Sequence, residues 1–175
     1  MSKLAELTNN FNCYDGSNKT EKLVGVTASV ALPEIEFMTE TLTAAGLLGE
    51  IDVVATGHTG ALESELGFNN LQNNMFSYMS PKHPIHLVLR ASQQMRNTAN
   101  NAIENIPIRI VIKGALKKFN PGTIESGKPG NPTVTSTVTY ILIEINKKKR
   151  LELDKLNGVF KVNDVDVLGD IAKQC

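Results

Sequence analysis

Apolar residues recur mostly at every second position along this chain, a spacing that predicts strands rather than helices. Leu23–Leu32 (LVGVTASVAL) sets Val24, Val26, Ala28, Val30 and Leu32 on one face, with Gly25, Thr27 and Ser29 on the other. In Thr59–Phe68, Leu62, Leu66 and Phe68 stand opposite Glu63 and Glu65. Ile106–Phe119 alternates through Ile106, Ile108, Ile110 and Ile112. Thr133–Asn146 places Val134, Val138, Tyr140 and Leu142 on one face. Both of these last runs exceed the usual strand of about five or six residues. They predict a long hairpin around the breaker-rich loop Asn120–Pro132, followed by the charged run Lys147–Asp154.

The remaining stretches are read against that hairpin. Residues 1–22 are polar and turn-like and read as an N-terminal arm or a short helix. Pro33 marks a strand edge or a break. Glu34–Val54 reads as two strand-like pieces around the small tip Ala44, Ala45, Gly46, Leu47, Leu48 and Gly49. Such an extended hairpin either packs internally or carries an exposed apolar tip, which suits an oligomer better than a monomer. Asn69–Ser80 changes period: Leu71, Met75, Phe76 and Met79 predict an amphipathic helix, capped by Asn and stopped by Pro81. His83–Gln94 is a further strand, and Leu156–Cys175 a short strand or turn leading to a helix from about Val165. With no repeat, low-complexity tract or long linker, residues 1–175 form one β-rich domain with a single core.

Composition changes this picture little, and charge changes it more. No apolar run approaches the roughly 20 residues that cross a bilayer, and MSKLAELTNNFN lacks an apolar core, so no signal peptide is expected. Cys13 and Cys175 form either a terminus-to-terminus disulfide or two free thiols, and the missing export signal favours free thiols. The sequon Asn18-Lys19-Thr20 has meaning only in a secreted chain. The net charge of zero hides a polarity: residues 1–80 carry three lysines against ten acids, net −7. Residues 81–175 carry fifteen basic residues against eight acids, net +7. Either these charges interleave in the fold, or an acidic face of one copy meets a basic face of the next, head to tail.

Candidate chemistry is sparse. Gly122–Pro129 (GTIESGKP) matches a phosphate loop except at Pro129, where a Ser or Thr hydroxyl must bind magnesium and a helix must begin. A strand-like run follows instead, so nucleotide binding is rejected and the segment reads as a loop. His83 and His86 are predicted on opposite faces of a strand, and His58 stands alone. Asp164, Asp166 and Asp170 lack the bidentate Glu of a calcium loop. Glu63 and Glu65 share a strand face, which reads as a solvated side rather than an acid pair. Lys147–Arg150 is a single basic run without interleaved aromatics and reads as a turn rather than a nucleic-acid site. No catalytic residue, cofactor or metal site is expected, and the chain is not expected to be an enzyme.

Several segments, taken in order, resemble the major tail tube protein of contractile-tailed bacteriophages. They are Phe11–Gly25, the VALPEI of Val30–Ile35, Ala44–Val53, Ile110–Lys118 with the following loop, Tyr140–Asp154, and Leu151–Ile171 (LELDKLNGVFKVNDVDVLGDI). The last is the most specific. It departs from the family at Asp164, where a glycine is usual, which bears on the tightness of one turn. The resemblance implies a mainly β, barrel- or sandwich-like tail tube fold with one flanking α-helix and a short C-terminal helix. It implies six copies per ring, a continuous inner β-barrel, and rings stacked into a hollow conduit for DNA or ions inside a sheath. It places the protein in a virion tail or a headless tailocin, with the tube of a type VI secretion system as the alternative. The implied partners are further copies of the chain, the contractile sheath protein, baseplate or initiator and terminator proteins, and a tape measure protein in the lumen. DNA would pass without specific binding. On this reading Ala44, Ala45, Gly46, Leu47, Leu48 and Gly49 touch an adjacent subunit, and Thr27, Ser29, Glu63 and Glu65 are candidates for the lumen.

Overall fold

The alternating runs become strands, joined in one branched antiparallel sheet and a separate two-stranded hairpin. The computed structural model describes residues 3–16 and 21–174. In chain order the elements are β1 (Lys3–Asp15), β2 (Glu21–Lys22), β3 (Val26–Ala31), β4 (Phe37–Leu42), β5 (Ile51–Thr59), β6 (Leu62–Phe68) and α1 (Asn73–Ser77). There follow β7 (Ile85–Asn97), β8 (Ile103–Asn120), β9 (Thr133–Ile145), β10 (Lys148–Asp154), β11 (Val159–Val162), β12 (Val165–Asp166) and α2 (Gly169–Gln174). The fold is mainly β, and the sheet does not close into a barrel within one chain. Its path runs β12-β11-β10-β9-β8-β7-β1-β2, with β6 also paired to β9 and β3 to β6.

Strand β9 organises this branching. One edge pairs with β8 along its whole length, while the other pairs first with β6 and then with β10. The change of partner falls at Thr139, an extra residue opposite Lys113 and Gly114 that reverses the alternation of the strand. Val134, Ser136 and Val138 therefore face the core before it, and Ile141 faces the core after it. Tyr140 and Leu142 point to the opposite face, so the single face predicted for Val134, Val138, Tyr140 and Leu142 is divided by the bulge. Gly114 makes the corner possible. A Cβ there would sit on the Thr137 carbonyl oxygen, 2.9 Å from its carbon and 3.1 Å from the Val138 Cα.

The core gathers Leu62, Leu66 and Phe68 of β6, Ile85, Leu87 and Leu89 of β7, and Ile112 and Ile141 of the central strands. Cys13, Leu23, Met75, Tyr78, Leu153 and Phe160 join it. Two serines share this interior and are satisfied: Ser64 donates to the Ala31 carbonyl at 3.0 Å and Ser136 to the Ser64 carbonyl at 3.4 Å. The covering layer is short, with six residues in β3 and seven in β6, whereas β7 has 13 and β8 has 18. The apolar face of the long strands consequently outruns its cover.

Four sequence expectations are corrected. Residues 3–15 are neither an arm nor a helix; they form β1, paired with β7 from Lys3 to Asp15. The helix predicted over Asn69–Ser80 shrinks to five residues, and of its apolar positions only Met75 is buried, with Leu71, Phe76 and Met79 exposed. Polar side chains ahead of it are committed elsewhere: Asn70 accepts from the Gly130 amide at 2.9 Å, and Gln72 donates to the Val24 carbonyl at 2.7 Å. Gln72, not an Asn, stands at the N-cap, without a side-chain cap bond. The C-terminal helix begins at Gly169 rather than near Val165, because Val165–Asp166 pairs with β11. Within Leu23–Leu32, Val26 and Val30 pack on the core while Val24 and Leu32 lie exposed, a bulge separating the two paired ends of β3.

Two-residue turns close β9–β10 at Asn146-Lys147 (φ 53° and 61°) and β11–β12 at Asn163-Asp164 (φ 52° and 65°). Positive φ at both positions matches the twist of a hairpin and favours Asn-Gly. Asp164→Gly is expected to raise stability by roughly 0.5–1 kcal/mol, relief of left-handed strain exceeding the added freedom of the unfolded chain. A denaturant midpoint at or below that of the parent protein would contradict it.

Candidate functional site

The β4–β5 hairpin stands apart from the core. Every β4 residue is exposed, as are the first four of β5. The cross-strand pairs Leu42–Ile51 and Glu40–Val53 share one face with Met38; Thr41–Asp52 and Thr39–Val54 share the other, where Thr41 donates to Asp52 at 2.9 Å. The hairpin is thus amphipathic, with its apolar face uncovered. At its tip the Leu47 amide donates to the Ala44 carbonyl at 3.1 Å, and Leu48 is fully exposed. Gly46 and Gly49 have φ of 95° and 111°, with open space on their Cβ side. The base is held where Phe37 meets Phe160, ring centres 5.9 Å apart, and where the Lys155 ammonium reaches the carbonyls of Thr59 (3.4 Å) and Gly60. Burial there lowers the Lys155 pKa from its ordinary value. An isolated hairpin is at best marginally stable in water, so this one needs a surface to lie on.

The two charge readings divide between elements. Glu6 pairs with Arg96, Lys3 with Glu104 and Glu63 with Lys117, so charges of the two halves interleave on β1 and β6. The hairpin does not take part: Glu34, Glu36, Glu40, Glu50 and Asp52 lie in a stretch without a basic residue, and none forms an ion pair among the described residues.

Glu63 and Glu65 do share the outer face of β6, opposite Thr137 and Thr135 of β9. Glu63 is neutralised by Lys117, and Glu65 accepts from Thr135 at 3.4 Å. Thr27 and Ser29 lie on the wall of a cleft between β3 and β1, where Thr27 donates to the Ser29 carbonyl at 2.9 Å. Thr27 also borders the carboxylate face, since a Cβ on Gly67, in phase with Glu63 and Glu65 along β6, would stand 2.9 Å from its hydroxyl oxygen.

The outer face of the long strands carries a paired-charge lattice that the sequence did not suggest. Arg109 binds Glu144 at 2.9 Å, Arg90 lies over the Tyr14 ring at 5.3 Å, and Lys113 lies over the Tyr140 ring at 4.8 Å. Glu152 accepts from Lys149 at 3.0 Å and from the Tyr140 hydroxyl at 3.1 Å. The Lys149 hydrogen bond, with help from Tyr140, holds the Glu152 pKa below the ordinary carboxylate range against the opposing effect of burial. Burial, then the bond to Glu152, raises the Tyr140 phenol to about 12. A depressed folded-state carboxylate pKa adds stability that is present at neutral pH and lost as pH falls below the unfolded value, through the folded one. Glu152→Gln is expected to make the acid limb of stability, below roughly pH 4.5, shallower than in the parent; an unchanged slope would contradict the pairing.

The other candidate chemistry resolves into structure. The Gly122–Lys128 stretch is a loop closed by a 2.8 Å bond from the Thr123 amide to the Gly130 carbonyl, and Thr133 opens a strand where a phosphate loop needs a helix. Its Ile124, not singled out by the pattern, is almost wholly exposed. Asp166 caps the Leu168 amide at 3.0 Å, and Asp170 faces Lys173. His83 precedes β7 rather than lying in it, while His86 lies in the strand, its pKa lowered by burial and then by Lys113. No group of metal-binding side chains occurs among the described residues. Cys13 is a buried free thiol raised to about 12 by burial and by Asp15; Cys175 and the sequon at Asn18 lie outside the described residues. Lys147–Arg150 is partly the predicted turn and partly the start of β10.

A branched sheet with open ends and an uncovered amphipathic hairpin defines a structural building block. The chain belongs to the phage tail tube protein FII family, whose model matches residues 6–174. It is similar to the tail tube protein of Escherichia phage P2, 24% identical over 147 residues that cover 82% of this chain and 83% of that protein. It is also similar to the major tail tube protein of Serratia phage KSP20, 23% identical over 152 residues that cover 86% and 84%. It is a structural component of a phage virion tail.

Proposed function

We propose that this chain acts as a single tail tube domain that assembles into six-membered rings, stacked as a hollow conduit for DNA or ions. Neighbouring copies close the sheet that one chain leaves open, giving a continuous inner barrel, which removes exposed strand edges. The supporting observation is that the sheet path ends in two-residue strands, β2 and β12, while β1 has no strand partner on its outer edge from Lys3 to Asn12 among the described residues. The tip from Ala44 to Gly49 reaches the adjacent subunit. Sheath, baseplate or initiator, terminator and tape measure proteins complete the assembly, in a phage or in a tailocin. Thr27, Ser29, Glu63 and Glu65 remain candidates for the lumen, through which DNA passes without specific binding.

Negative-stain electron microscopy of the purified protein at high and low concentration tests this reading. Rings or hollow tubes of uniform diameter are expected. Monomers that also fail to extend a supplied baseplate would overturn it.

A further inference from the structure

The surplus apolar face of the hairpin has a counterpart elsewhere in the same chain. Between β1 and β3 lies an open cleft of about 790 Å³. Its floor runs from the core residue Leu89 to the half-buried Phe11, Ala91, Ile108 and Ile110, where the long strands outrun the short β3–β6 layer. Its far wall is β3, which pairs only with β6, so the cleft opens between two unpaired strand edges among the described residues. Lys22 is the one charged residue among the described residues lining it, and no carboxylate lines it. The hairpin is the electrostatic complement, carrying Glu40, Glu50 and Asp52 and no lysine or arginine. The chain does not fill its own cleft, because the whole of β4 is exposed and the hairpin base is tied to the β10–β11 side by Phe160 and Lys155.

We propose that the cleft between β1 and β3 receives the β4–β5 hairpin of a second copy of this chain, with Met38, Leu42, Ile51 and Val53 turned towards its floor. Burying this face removes apolar surface from water on both copies at once. Glu40, which shares that face with Val53 and Leu42, meets Lys22 at the rim, while Asp52 stays on the opposite face bonded to Thr41, so no like charges are brought together. The pairing is heterologous, hairpin to cleft, and so propagates from copy to copy instead of ending at a dimer. The inference rests on the tube reading, since it takes the partner to be the same chain; it goes further in naming the acceptor surface.

Two variants in a Cys175→Ser background test the proposal, each keeping the buried Cys13 and adding one cysteine, Ile51→Cys in one and Ala91→Cys in the other. Mixed, assembled and treated with a short bismaleimide, they are expected to yield a product bridged between positions 51 and 91, which can only join different copies. Tubes that form without that bridge overturn the cleft assignment and leave the tube reading standing. If the variants do not assemble, hydroxyl-radical footprinting of wild-type tubes decides. Labelling of Met38 and Phe11 should fall severalfold relative to dispersed subunits, and unchanged labelling at either overturns the proposal. A wild-type protein that forms no tube, even on a baseplate, overturns both readings.

Discussion

Gly114→Val is expected to prevent folding, and Gly114→Ala to cost at least about 3 kcal/mol, above the usual range for point substitutions. The clash is with backbone, not with the end of a flexible side chain: the added Cβ would occupy the space of the Thr137 carbonyl and press on the Val138 Cα. Relief requires separating β8 from β9 where β9 exchanges β6 for β10 as its partner. Losing that corner decouples the two branches of the sheet, and with them Val138 and Ile141 on either side of the core. Gly60 provides the control. A Cβ there lies 3.8 Å from the Glu36 carbonyl, in ordinary contact, so Gly60→Ala should stay within about 0.5 kcal/mol of the parent. Urea unfolding followed by circular dichroism checks both. A Gly114→Ala protein with the parent midpoint would show that the corner yields without cost.

Much of this fold was legible because one face of most strands is buried and the other is solvated. Leu62, Leu66 and Phe68 against Glu63 and Glu65 is the clearest case, and the structure buries the first three and exposes the other two. β1 was hidden for the converse reason. Most of it lies beyond the core, so Thr8, Asn9, Asn10 and Asn12 meet no selection for an apolar face, and only Phe11 and Cys13 keep period two. The α1 region failed differently, since its apolar residues serve separate ends: Met75 enters the core, while Phe76 meets Phe119 edge to face with ring centres 5.6 Å apart. The bulge at Thr139 is a property of three strands meeting, not of the local pattern. The cleft is less local still. It results from unequal strand lengths in two layers, and its lining is drawn from β1, β3, β7 and β8. The hairpin tip was visible, because small residues and glycines around two leucines form an exposed apolar turn wherever the rest of the chain goes.

Leu47→Asp combined with Leu48→Asp should separate folding from assembly. Leu48 is fully exposed, Leu47 is 41% exposed, and the flanking Gly46 and Gly49 have open space beside them. Unfolding stability should therefore move by no more than about 0.5 kcal/mol, as for a surface change away from any cap or packed contact. Assembly is expected to respond very differently. Each leucine buried against a neighbour contributes roughly 1.5–3 kcal/mol, so losing both weakens one contact by about 3–6 kcal/mol, at least a hundredfold in association constant. Two carboxylates added to a hairpin that already carries Glu40, Glu50 and Asp52 without an ion pair among the described residues deepen the loss, because a buried charge without a partner is costly. Since every subunit repeats the same contact, the concentration needed for growth rises by the same factor. Sedimentation of preformed particles, read beside the unfolding curve, gives both quantities from one preparation. Normal stability with no sedimenting tube is expected. Tubes at the parent concentration would show that the tip lies free on the outside of the assembly.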